Sequence, residues 1–426
     1  MDLRTAARRL KLTADEVNVV KAGWAGPQRR MPRQGLPFLT PEFVADACGE
    51  VGVSQDVIEP AVAAGKRVAD NEAASAFAWY CHDRLYGAGG NDYDGAEKWP
   101  SLDEALGEDA SAFYLLVLLS GVPKMREVNA AHGVPPQVVK DTMFDVARGM
   151  GWRKRRDGGQ GFGIRVRDLA WFANFIGCEL YRLGRLQFQF SHFYHHVHVF
   201  RHTSGTVLTM CDSGLHIDGN GLRVRKDDKE ARGVWTTELT VGDREITGYP
   251  ILPTGEVVAR KISLPTSEWR QVIAHGDPAL GMHMPGGKPL THEGCGESFR
   301  RAIEFFPKHF PERPFAGFCC ESWLLDSQLE GLLPPTSNMV RFQRDVYLLP
   351  IVMDNHELLR TVFHTRNLPE DLSKAPRDTS LQRAILERLE RGESLTPRAG
   401  GCFLLPEDLN WGAEVYRRQD LSRWVG

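Results

Sequence analysis

Residues 279–306, ALGMHMPGGKPLTHEGCGESFRRAIEFF, combine three local patterns in one short segment. The apolar run at residues 279–284 predicts a β-strand. The glycines and prolines that follow it predict a loop. In the remainder, apolar residues recur three and four positions apart, and we expect a helix whose first turn includes Gly296, Glu297 and Ser298. The segment therefore predicts a strand, a loop and a helix in direct succession.

A helix that begins after a strand and a glycine-rich loop can bind an anion. Its first N–H groups have no partner within the helix, and the helix dipole is positive at that end. Gly294 and Gly296 would let a pyrophosphate approach the backbone closely, while Lys288 or Thr291 can add side-chain donors. The spacing matches neither the Walker loop nor the dinucleotide-binding fingerprint. A loop whose glycines only form turns is the alternative interpretation.

Length and composition limit the class of protein. A chain of 426 residues exceeds what one hydrophobic core usually organises, so we expect two domains. With 42% hydrophobic and 25% charged residues, the composition is that of a globular protein. The net charge of −3 argues against a nucleic acid as partner. No apolar run approaches the roughly 20 residues of a membrane helix, so we expect no membrane partner.

The cysteines and the first residues bear on localisation. The eight cysteines lack the short paired spacings of a disulfide framework or a zinc ribbon, which predicts reduced thiols. The opening segment, MDLRTAARRLKLTADEV, lacks the apolar stretch of a signal peptide, and its acidic residues argue against a transit peptide. Together these features predict a cytoplasmic protein.

Two regions with different patterns meet near residue 183. Residues 1–183 have helical periodicity and few β-branched alternations, and they predict an all-α domain. Residues 184–426 contain alternating and β-rich segments with helices between them, so the whole chain is predicted to be α+β. In the second region, ITGYPIL and EVVARKISL are joined by PTG, which predicts a hairpin whose turn uses glycine at positive φ.

A histidine-rich segment, SHFYHHVHVFRH, offers a second kind of chemistry. Alternate residues of a strand share a face, so His192, His196 and His198 would align, and an H-x-H pair can hold a transition metal. No glutamate later in the sequence stands at a spacing that would complete a metal site. Histidines that face solvent on a half-exposed strand also need no ligand. We therefore expect no tightly bound metal, and a metal-dependent enzyme remains the alternative.

The segment FCCESWLLD contains a thiol pair and a carboxylate. Cys319 and Cys320 are adjacent on a predicted strand, so their side chains point to opposite faces and cannot act together. A buried thiol is inert unless a positive neighbour lowers its pKa. Glu321 lies within an apolar strand, where a carboxylate either pairs or has a raised pKa and can act as a general base. A solvent-facing edge position is the alternative for Glu321.

Several segments, taken in order, resemble a bacterial acyltransferase-like family. They are FYLLVLLSGVPKMREVNAAHGVPPQVVKDTMFDV, YRLGRLQF, GDPALGMHMPGGKPLTHEGCGESFRRAIEFFPKHFPE, FCCESWLLD and SNMVRFQRD. The resemblance covers most of the chain. It implies a helical N-acyltransferase N-terminal domain at residues 1–183 and a GNAT-like acyltransferase domain with a mixed α/β sheet at residues 184–426.

The implied activity is direct transfer of an acyl group from acyl-coenzyme A to an amine, with a small-molecule donor and acceptor. Asn338 and Arg341 can orient a substrate, although Asn338 can also belong to a turn before a strand. A protein that keeps this fold and binds ligands without turnover is the alternative. The implied site for the pyrophosphate lies at residues 285–298 and comprises Gly286, Gly287, Lys288, Thr291, Gly294, Cys295, Gly296 and Ser298.

The resemblance also implies a base and an acid. The base removes the proton of the attacking amine, and the acid returns a proton to the thiolate of coenzyme A. Glu321 or His283 is expected as the base, because both lie on strands that flank the splayed centre of a GNAT-like sheet. Tyr347 or Ser322 is expected as the acid. The alternative for His283 is a structural histidine near a strand end, with its hydrogen bonds satisfied by neighbouring groups.

Overall fold

The computed structural model describes the chain apart from residues 89, 91–92, 157–161, 229–230, 353–355, 366, 394–399 and 426. The chain divides into two compact units, Met1–Leu183 and Gly184–Gly426. All eight cysteines are buried, with free thiols. Within the described residues, none of the helices combines the length and the apolar character needed to cross a membrane.

The first unit consists of helices followed by one strand. The helices are α1 (Leu3–Arg9), α2 (Ala14–Lys21), α3 (Ala25–Arg30), α4 (Pro41–Val51), α5 (Gln55–Asp70), α6 (Glu72–Tyr86), α7 (Asp103–Leu106), α8 (Asp109–Leu119), α9 (Val122–Ala131), α10 (Pro136–Arg156) and α11 (Val166–Ile176), and the strand is β1 (Leu180–Leu183).

Local sequence determines where several of these helices begin and end. Thr13 and Glu16 form a capping box at the start of α2. Thr40, followed by Pro41 and Glu42, is a sequence pattern that predicts a helix start, and its side chain accepts a hydrogen bond from the backbone N–H of Phe43 and caps α4. Gly52 then ends α4 in the left-handed conformation, with φ 73°.

Helix α8 lies at the centre of the first unit. Residues 110–119 are all buried, as the nearly uniform apolar sequence of this segment predicts. The helix packs against α5, α6 and α11. Phe113 of α8 stacks on Phe77 of α6, with ring centroids 5.8 Å apart. This helix therefore organises the core of the unit.

The second unit contains most of the strands and the remaining helices. The strands are β2 (Leu186–His192), β3 (Val197–His202), β4 (Val207–Cys211), β5 (His216–Ile217), β6 (Trp235–Thr236), β7 (Thr240–Val241), β8 (Glu245–Gly248), β9 (Pro250–Ile251), β10 (Ile262–Pro265), β11 (Trp269–Ala274), β12 (Pro278–His283), β13 (Phe318–Ser322), β14 (Tyr347–Pro350) and β15 (Gly400–Leu404). The helices are α12 (His292–His309), α13 (Leu329–Leu332), α14 (Asn338–Asp345), α15 (His356–Phe363), α16 (Ser380–Glu390) and α17 (Ser422–Val425).

The main sheet of the second unit has the strand order β2–β12–β13–β15–β14. Strands β12 and β13 are parallel, and the other neighbours in this series are antiparallel. Strands β12, β13 and β14 therefore run in one direction and end at the same edge of the sheet. A second sheet has the order β11–β3–β4–β9, and two short sheets have the orders β10–β8–β7 and β5–β6.

The predicted hairpin around PTG is confirmed. Ile251 and Val257 form an antiparallel bridge, and the N–H of Leu252 donates to the carbonyl of Glu256 at 2.8 Å. Gly255 has φ 92°, a conformation that glycine adopts without strain. Further out, β8 and β10 pair antiparallel.

Candidate functional site

Strands β12 and β13 pair over only two positions at the centre of the main sheet. Leu280 and Gly281 are the partners of Phe318 and Cys319. Beyond these positions β12 continues along β2, and β13 continues along β15. The two parallel strands therefore separate towards their C-terminal ends, which leaves a gap in the centre of the sheet.

The two faces of this sheet differ in character. On one face, Phe188 of β2 and Phe318 of β13 pack against Phe299 of α12, with ring centroids 5.6 Å and 5.0 Å from it. The alternation of side chains and the strand register place His283 and Glu321 together on the opposite face. Polar chemistry at the gap is therefore confined to the face that points away from α12.

The segment between β2 and β3 places His195 beside Glu321 on this face. The His195 Nδ1 atom lies 3.4 Å from Glu321 Oε1. The His195 side chain is 1% exposed and that of Glu321 is 39% exposed. Neither ring nitrogen of His195 has a hydrogen-bond partner among the described residues. The pair thus joins a buried imidazole with unused hydrogen-bonding capacity to a carboxylate that solvent can reach.

Gly401 provides the space that the His195 ring occupies. It is the partner of Glu321 across β13 and β15. A Cβ atom at Gly401 would lie 2.7 Å from Cε1 of His195 and 3.0 Å from Cγ2 of Ile351. Both separations are shorter than carbon contacts allow, so a larger residue at this position would displace the imidazole from Glu321.

His283 lies at the end of β12 on the same face. Its Nε2 atom is 3.0 Å from Oε1 of Gln189. Burial lowers the pKa of His283 to about 4, so the ring is neutral near pH 7. A group with this pKa is a weak base at that pH. Of the two bases expected from the sequence, Glu321 is the one whose side chain is substantially open to solvent, at 39% exposed.

The two expected acids make structural contacts instead. Tyr347 is fully buried, its hydroxyl donates to the carbonyl of Ile251, and its ring stacks on Phe403 with centroids 4.9 Å apart. Burial raises the pKa of Tyr347 well above its usual range. Ser322 accepts a hydrogen bond from the N–H of Leu324 at 3.2 Å and caps a short 3₁₀ turn. The structure therefore does not bring the side chains of Tyr347 and Ser322 together at one site.

Tyr194 and His195 are site residues that sequence reasoning missed. Tyr194 is 37% exposed, and its ring centroid is 4.8 Å from that of His195. Burial raises the pKa of Cys319 to about 12, partly offset by a hydrogen bond with Tyr194. The Cys319 thiol is therefore protonated and unsuited to nucleophilic attack. No local motif marks Tyr194 or His195, because their positions depend on how the segment after β2 packs onto β13.

Helix α12 begins one turn earlier than the sequence predicted. Its first residue is His292, and the Thr291 side chain caps it by accepting a hydrogen bond from the N–H of Gly294 at 3.3 Å. Gly296 and Ser298 therefore lie in the second turn, and their placement in the first turn was wrong. A threonine cap can start the helix here even though two glycines weaken its first turns.

Three of the residues expected to bind pyrophosphate face the interior. A Cβ atom at Gly296 would lie 2.4 Å from Cδ1 of Trp411. The fully buried Ser298 hydroxyl accepts a hydrogen bond from the N–H of Arg185 at 2.8 Å. Cys295 is fully buried, and burial raises its pKa to about 12. These contacts fix α12 against its neighbours and leave no direct route to a ligand for these side chains.

The loop before α12 exposes Gly286, Gly287 and Lys288. Arg185 holds it in place, because Nη2 donates to the carbonyl of Lys288 and Nε to that of Pro289, both at 2.9 Å. Gly287 has φ 96°, in the left-handed region that favours glycine. The exposed part of this loop and the first turn of α12 can therefore contact an anion.

Asn338 and Arg341 lie beside the start of α12. Asn338 Oδ1 accepts a hydrogen bond from the N–H of His292 at 3.4 Å. Arg341 Nη1 is 3.2 Å from Oε1 of Glu293. Asn338 is the first residue of α14, so its alternative assignment to a turn before a strand was wrong. Both side chains therefore adjoin the N-terminal end of α12.

A buried hydrogen bond between a histidine and an aspartate completes this end of α12. His292 Nε2 lies 2.5 Å from Asp345 Oδ2. The other oxygen of Asp345 accepts hydrogen bonds from the N–H groups of Gly412 and Glu414, at 2.9 and 3.1 Å. The carbonyl of His292 accepts a hydrogen bond from the indole of Trp411 at 2.8 Å. The first turn of α12 is thus tied to the end of α14 and to residues 411–414.

The histidine-rich segment does not form one strand. His192 ends β2 and His198 lies in β3, while His196 belongs to the connection between them. The predicted alignment of the three was therefore wrong. Asp212 pairs with His198 at 2.8 Å and with His196 at 3.4 Å, and Gln271 Oε1 lies 2.6 Å from His198 Nδ1. Among the described residues, no group of three or more histidine, cysteine, aspartate or glutamate side chains is arranged to hold a metal ion.

Comparison with known proteins gives two family matches. Residues 180–402 match the GNAT-like C-terminal domain, and residues 42–178 match the N-acyltransferase N-terminal domain. Comparison with curated protein sequences gives no match.

Solved structures share the fold over almost the whole chain. One is an acyltransferase mutant in complex with octanoyl-CoA, with 23% sequence identity, a TM-score of 0.60 and coverage of 94% of this chain and 99% of that one. Another is an acyltransferase in complex with decanoyl-CoA and teicoplanin, with 23% identity, a TM-score of 0.59 and coverage of 95% and 100%. At this level of identity the likeness establishes a common fold.

Proposed function

The chain belongs to the family of the GNAT-like C-terminal domain, and from this premise we propose that it is an acyl-CoA-dependent N-acyltransferase. The reaction is direct: the amine nitrogen attacks the thioester carbonyl, a C–N bond forms, and the C–S bond breaks to release coenzyme A. The observation that carries the proposal is the His195–Glu321 pair beside the gap between β12 and β13. Similar folds that contain octanoyl-CoA and decanoyl-CoA support the choice of donor.

Glu321 is the proposed base. Its carboxylate is 39% exposed and can accept a proton from an amine that enters the gap. His195 is the proposed positioning residue, because its buried ring faces Glu321 and has no other hydrogen-bond partner in the described part of the chain. An Nδ1–H group would orient the carboxylate towards the amine.

Tyr194 is the proposed donor to the leaving sulfur. Its ring lies next to His195, and its side chain hydrogen-bonds with the buried Cys319. Burial raises the pKa of Tyr194 well above its usual range, so the hydroxyl keeps its proton and acts as a hydrogen-bond donor. This role replaces the one that the sequence led us to expect for Tyr347.

The proposed pyrophosphate site is the exposed part of the loop before α12 together with the first turn of the helix. Gly286, Gly287 and Lys288 are open to solvent, and Thr291 and Gly294 form the cap. The partial positive charge of the helix N-terminus favours an anion at this position. The acyl chain of acyl-coenzyme A would then reach the gap between β12 and β13 along β12, which ends directly before this loop.

The test is an amide-forming assay with acetyl-, octanoyl- and decanoyl-coenzyme A and a panel of primary amines, read as coenzyme A release and product mass. Glu321→Gln should lower kcat by roughly 10²- to 10⁴-fold and leave acyl-CoA affinity unchanged. Glu245→Gln, at an exposed position in β8, is the matched control and should behave as wild type. Acyl-CoA binding without any amide product would support a non-catalytic binding protein, and the absence of both binding and product would overturn the proposal.

A further inference from the structure

A cavity of about 310 Å³, partly open to solvent, lies in the first unit. The end of α2, the helix α6 and a short 3₁₀ helix at Asp94–Lys98 enclose it. This volume is at the lower end of the range found for small-molecule sites, and it is roughly ten times the share of one water molecule in the liquid. The cavity therefore has room for a ligand of roughly ten non-hydrogen atoms.

The inner wall of this cavity is aromatic. Tyr80 and Trp99 both line it, and only 3% and 4% of these residues are exposed. Their ring centroids are 5.8 Å apart, with the ring planes inclined by 56°. Trp24 packs on Tyr80, with centroids 5.5 Å apart, and fixes the tyrosine ring. A ligand with an aromatic ring can therefore pack against a wall that is already formed.

Gly23 leaves the space in front of Tyr80 unfilled. A Cβ atom at this position would lie 3.4 Å from Cε2 of Tyr80 and 3.5 Å from its hydroxyl oxygen. These are ordinary contact distances, and Gly23 is not one of the glycines with positive φ. The fold therefore tolerates a side chain at this position, and the atoms beyond Cβ would occupy the cavity.

The opening of the cavity is partly apolar. Val19 and Ala22 line it together with Gly23, and positions three and four apart lie on one side of a helix. Val19 is 40% exposed and is one of the large hydrophobic residues that the fold leaves in contact with water. A ligand in the cavity would cover this side chain, and the removal of apolar surface from water favours binding.

The charged residues of the lining are both basic. Lys98 is exposed, Arg84 is half-buried, and none of the described residues that line the cavity carries a carboxylate. Asp83, which precedes Arg84, is engaged by Arg30, whose Nη2 atom lies 2.8 Å from Oδ2. Within the part of the chain that the structure describes, the Lys98 ammonium forms neither a hydrogen bond nor an ion pair. A cavity lined by charges of one sign attracts a ligand of the opposite sign.

We propose that this cavity binds a small aromatic carboxylate, with its ring against Tyr80 and Trp99 and its carboxylate at Lys98. The ring is buried against the aromatic wall, and the ammonium donates a charge-assisted hydrogen bond to the carboxylate. Phenylacetate, with about ten non-hydrogen atoms, matches the volume. This site goes beyond the proposed acyl transfer and does not depend on it.

The experiment is calorimetric titration of the full chain with benzoate, phenylacetate and 3-phenylpropanoate, each compared with its neutral amide. Wild type should bind the best of these acids roughly tenfold more tightly than its amide. Lys98→Met should remove that difference and leave affinity for the amide unchanged. Lys66→Met is the matched control, because Lys66 is an exposed lysine of α5 outside the lining, and it should behave as wild type.

A second variant tests the cavity itself. Gly23→Leu should abolish binding of both the acid and the amide, since the leucine would fill the space in front of Tyr80. Gly49→Leu, at a glycine of α4 with nothing within 4 Å of a Cβ atom, is its control and should bind as wild type. Circular dichroism checks that each variant is folded, and Lys98→Met alone decides if Gly23→Leu does not fold.

Three results would overturn the inference: no binding of any of the acids by wild type, equal affinity of wild type for acid and amide, or equal affinity of wild type and Lys98→Met for the acid. Each of these results leaves the acyl transfer untouched, because that reaction is read separately from amide formation. Conversely, acid binding that Lys98→Met weakens would support the site even in a chain that forms no amide.

Discussion

Trp411 lies directly over Gly296 in the second turn of α12, where a Cβ atom would be 2.4 Å from Cδ1 of the indole. Gly296→Ala should therefore lower the free energy of unfolding by roughly 1–2 kcal/mol, because overpacking outweighs the gain in helix propensity. Urea unfolding measures the change. Gly331→Ala is the control, since nothing lies within 4 Å of a Cβ at that position. Unchanged stability combined with lost acyl-CoA affinity would instead assign Gly296 to a phosphate site.

Arg185 fixes the loop before α12 through the carbonyls of Lys288 and Pro289. Arg185→Ala should loosen this loop and raise KM for acyl-coenzyme A by roughly tenfold, the size expected for one or two lost hydrogen bonds to a charged group. We expect kcat to change little, because Arg185 is not part of the His195–Glu321 pair. Arg301→Ala, at an exposed arginine of α12 paired with Glu297, is the control. Equal KM values for both variants would contradict a role for the loop in donor binding.

The depressed pKa of His283 makes stability depend on pH. Burial lowers the pKa of His283 from 6.5 to about 4, so between these pH values the unfolded chain binds more protons than the folded one. The free energy of unfolding should therefore fall as pH is lowered through this window, by about 3 kcal/mol for this group.

His82 contributes in the same direction, because burial lowers its pKa to about 4 as well. His283→Gln should make the pH profile flatter without removing the part that His82 causes. Exposed His192→Gln is the control and should leave the profile as in wild type. Denaturant unfolding at a series of pH values is the measurement, and an unchanged slope in His283→Gln would show that the imidazole is accessible to protons in the folded state.

The buried thiols should resist alkylation in the folded protein. Burial raises the pKa of Cys295 and of Cys319 to about 12, and thiolate is the reactive form. Iodoacetamide at pH 8 should therefore add no label to the folded chain within minutes and eight labels in denaturant, as read from the intact mass. Rapid labelling of Cys319 in the folded protein would return it to consideration as a nucleophile.

Sequence reasoning succeeded where structure depends on neighbouring residues. The strand at residues 279–284, the Thr40 cap and the PTG turn each follow from local patterns, and the structure contains all three. The sequence predicted too late a start for α12, because the two glycines in its first two turns are typical of a loop. Packing of Gly296 against Trp411, over a hundred residues further along the chain, favours helix at a position where propensity alone does not.

For the site residues too, features that depend on the local sequence could be predicted and contacts between distant segments could not. Glu321 could be singled out from its strand, because a carboxylate within an apolar run is unusual. The contact with His195 could not, because it joins two segments whose pairing depends on the order of strands in the sheet. The family resemblance implied Tyr347 as an acid, but in β14 its ring packs between Phe403 and Tyr416. Strand position alone does not reveal which layer covers a side chain.

The contacts between His292, Asp345 and residues 411–414 have a consequence for synthesis of the chain. During translation, the first turn of α12 emerges long before Trp411 and Gly412, which complete its surroundings. The proposed donor site therefore matures only when nearly the whole polypeptide has left the ribosome. A nascent chain or a truncated product that stops before residue 411 lacks the groups that hold this turn, so its proposed donor site would be incomplete.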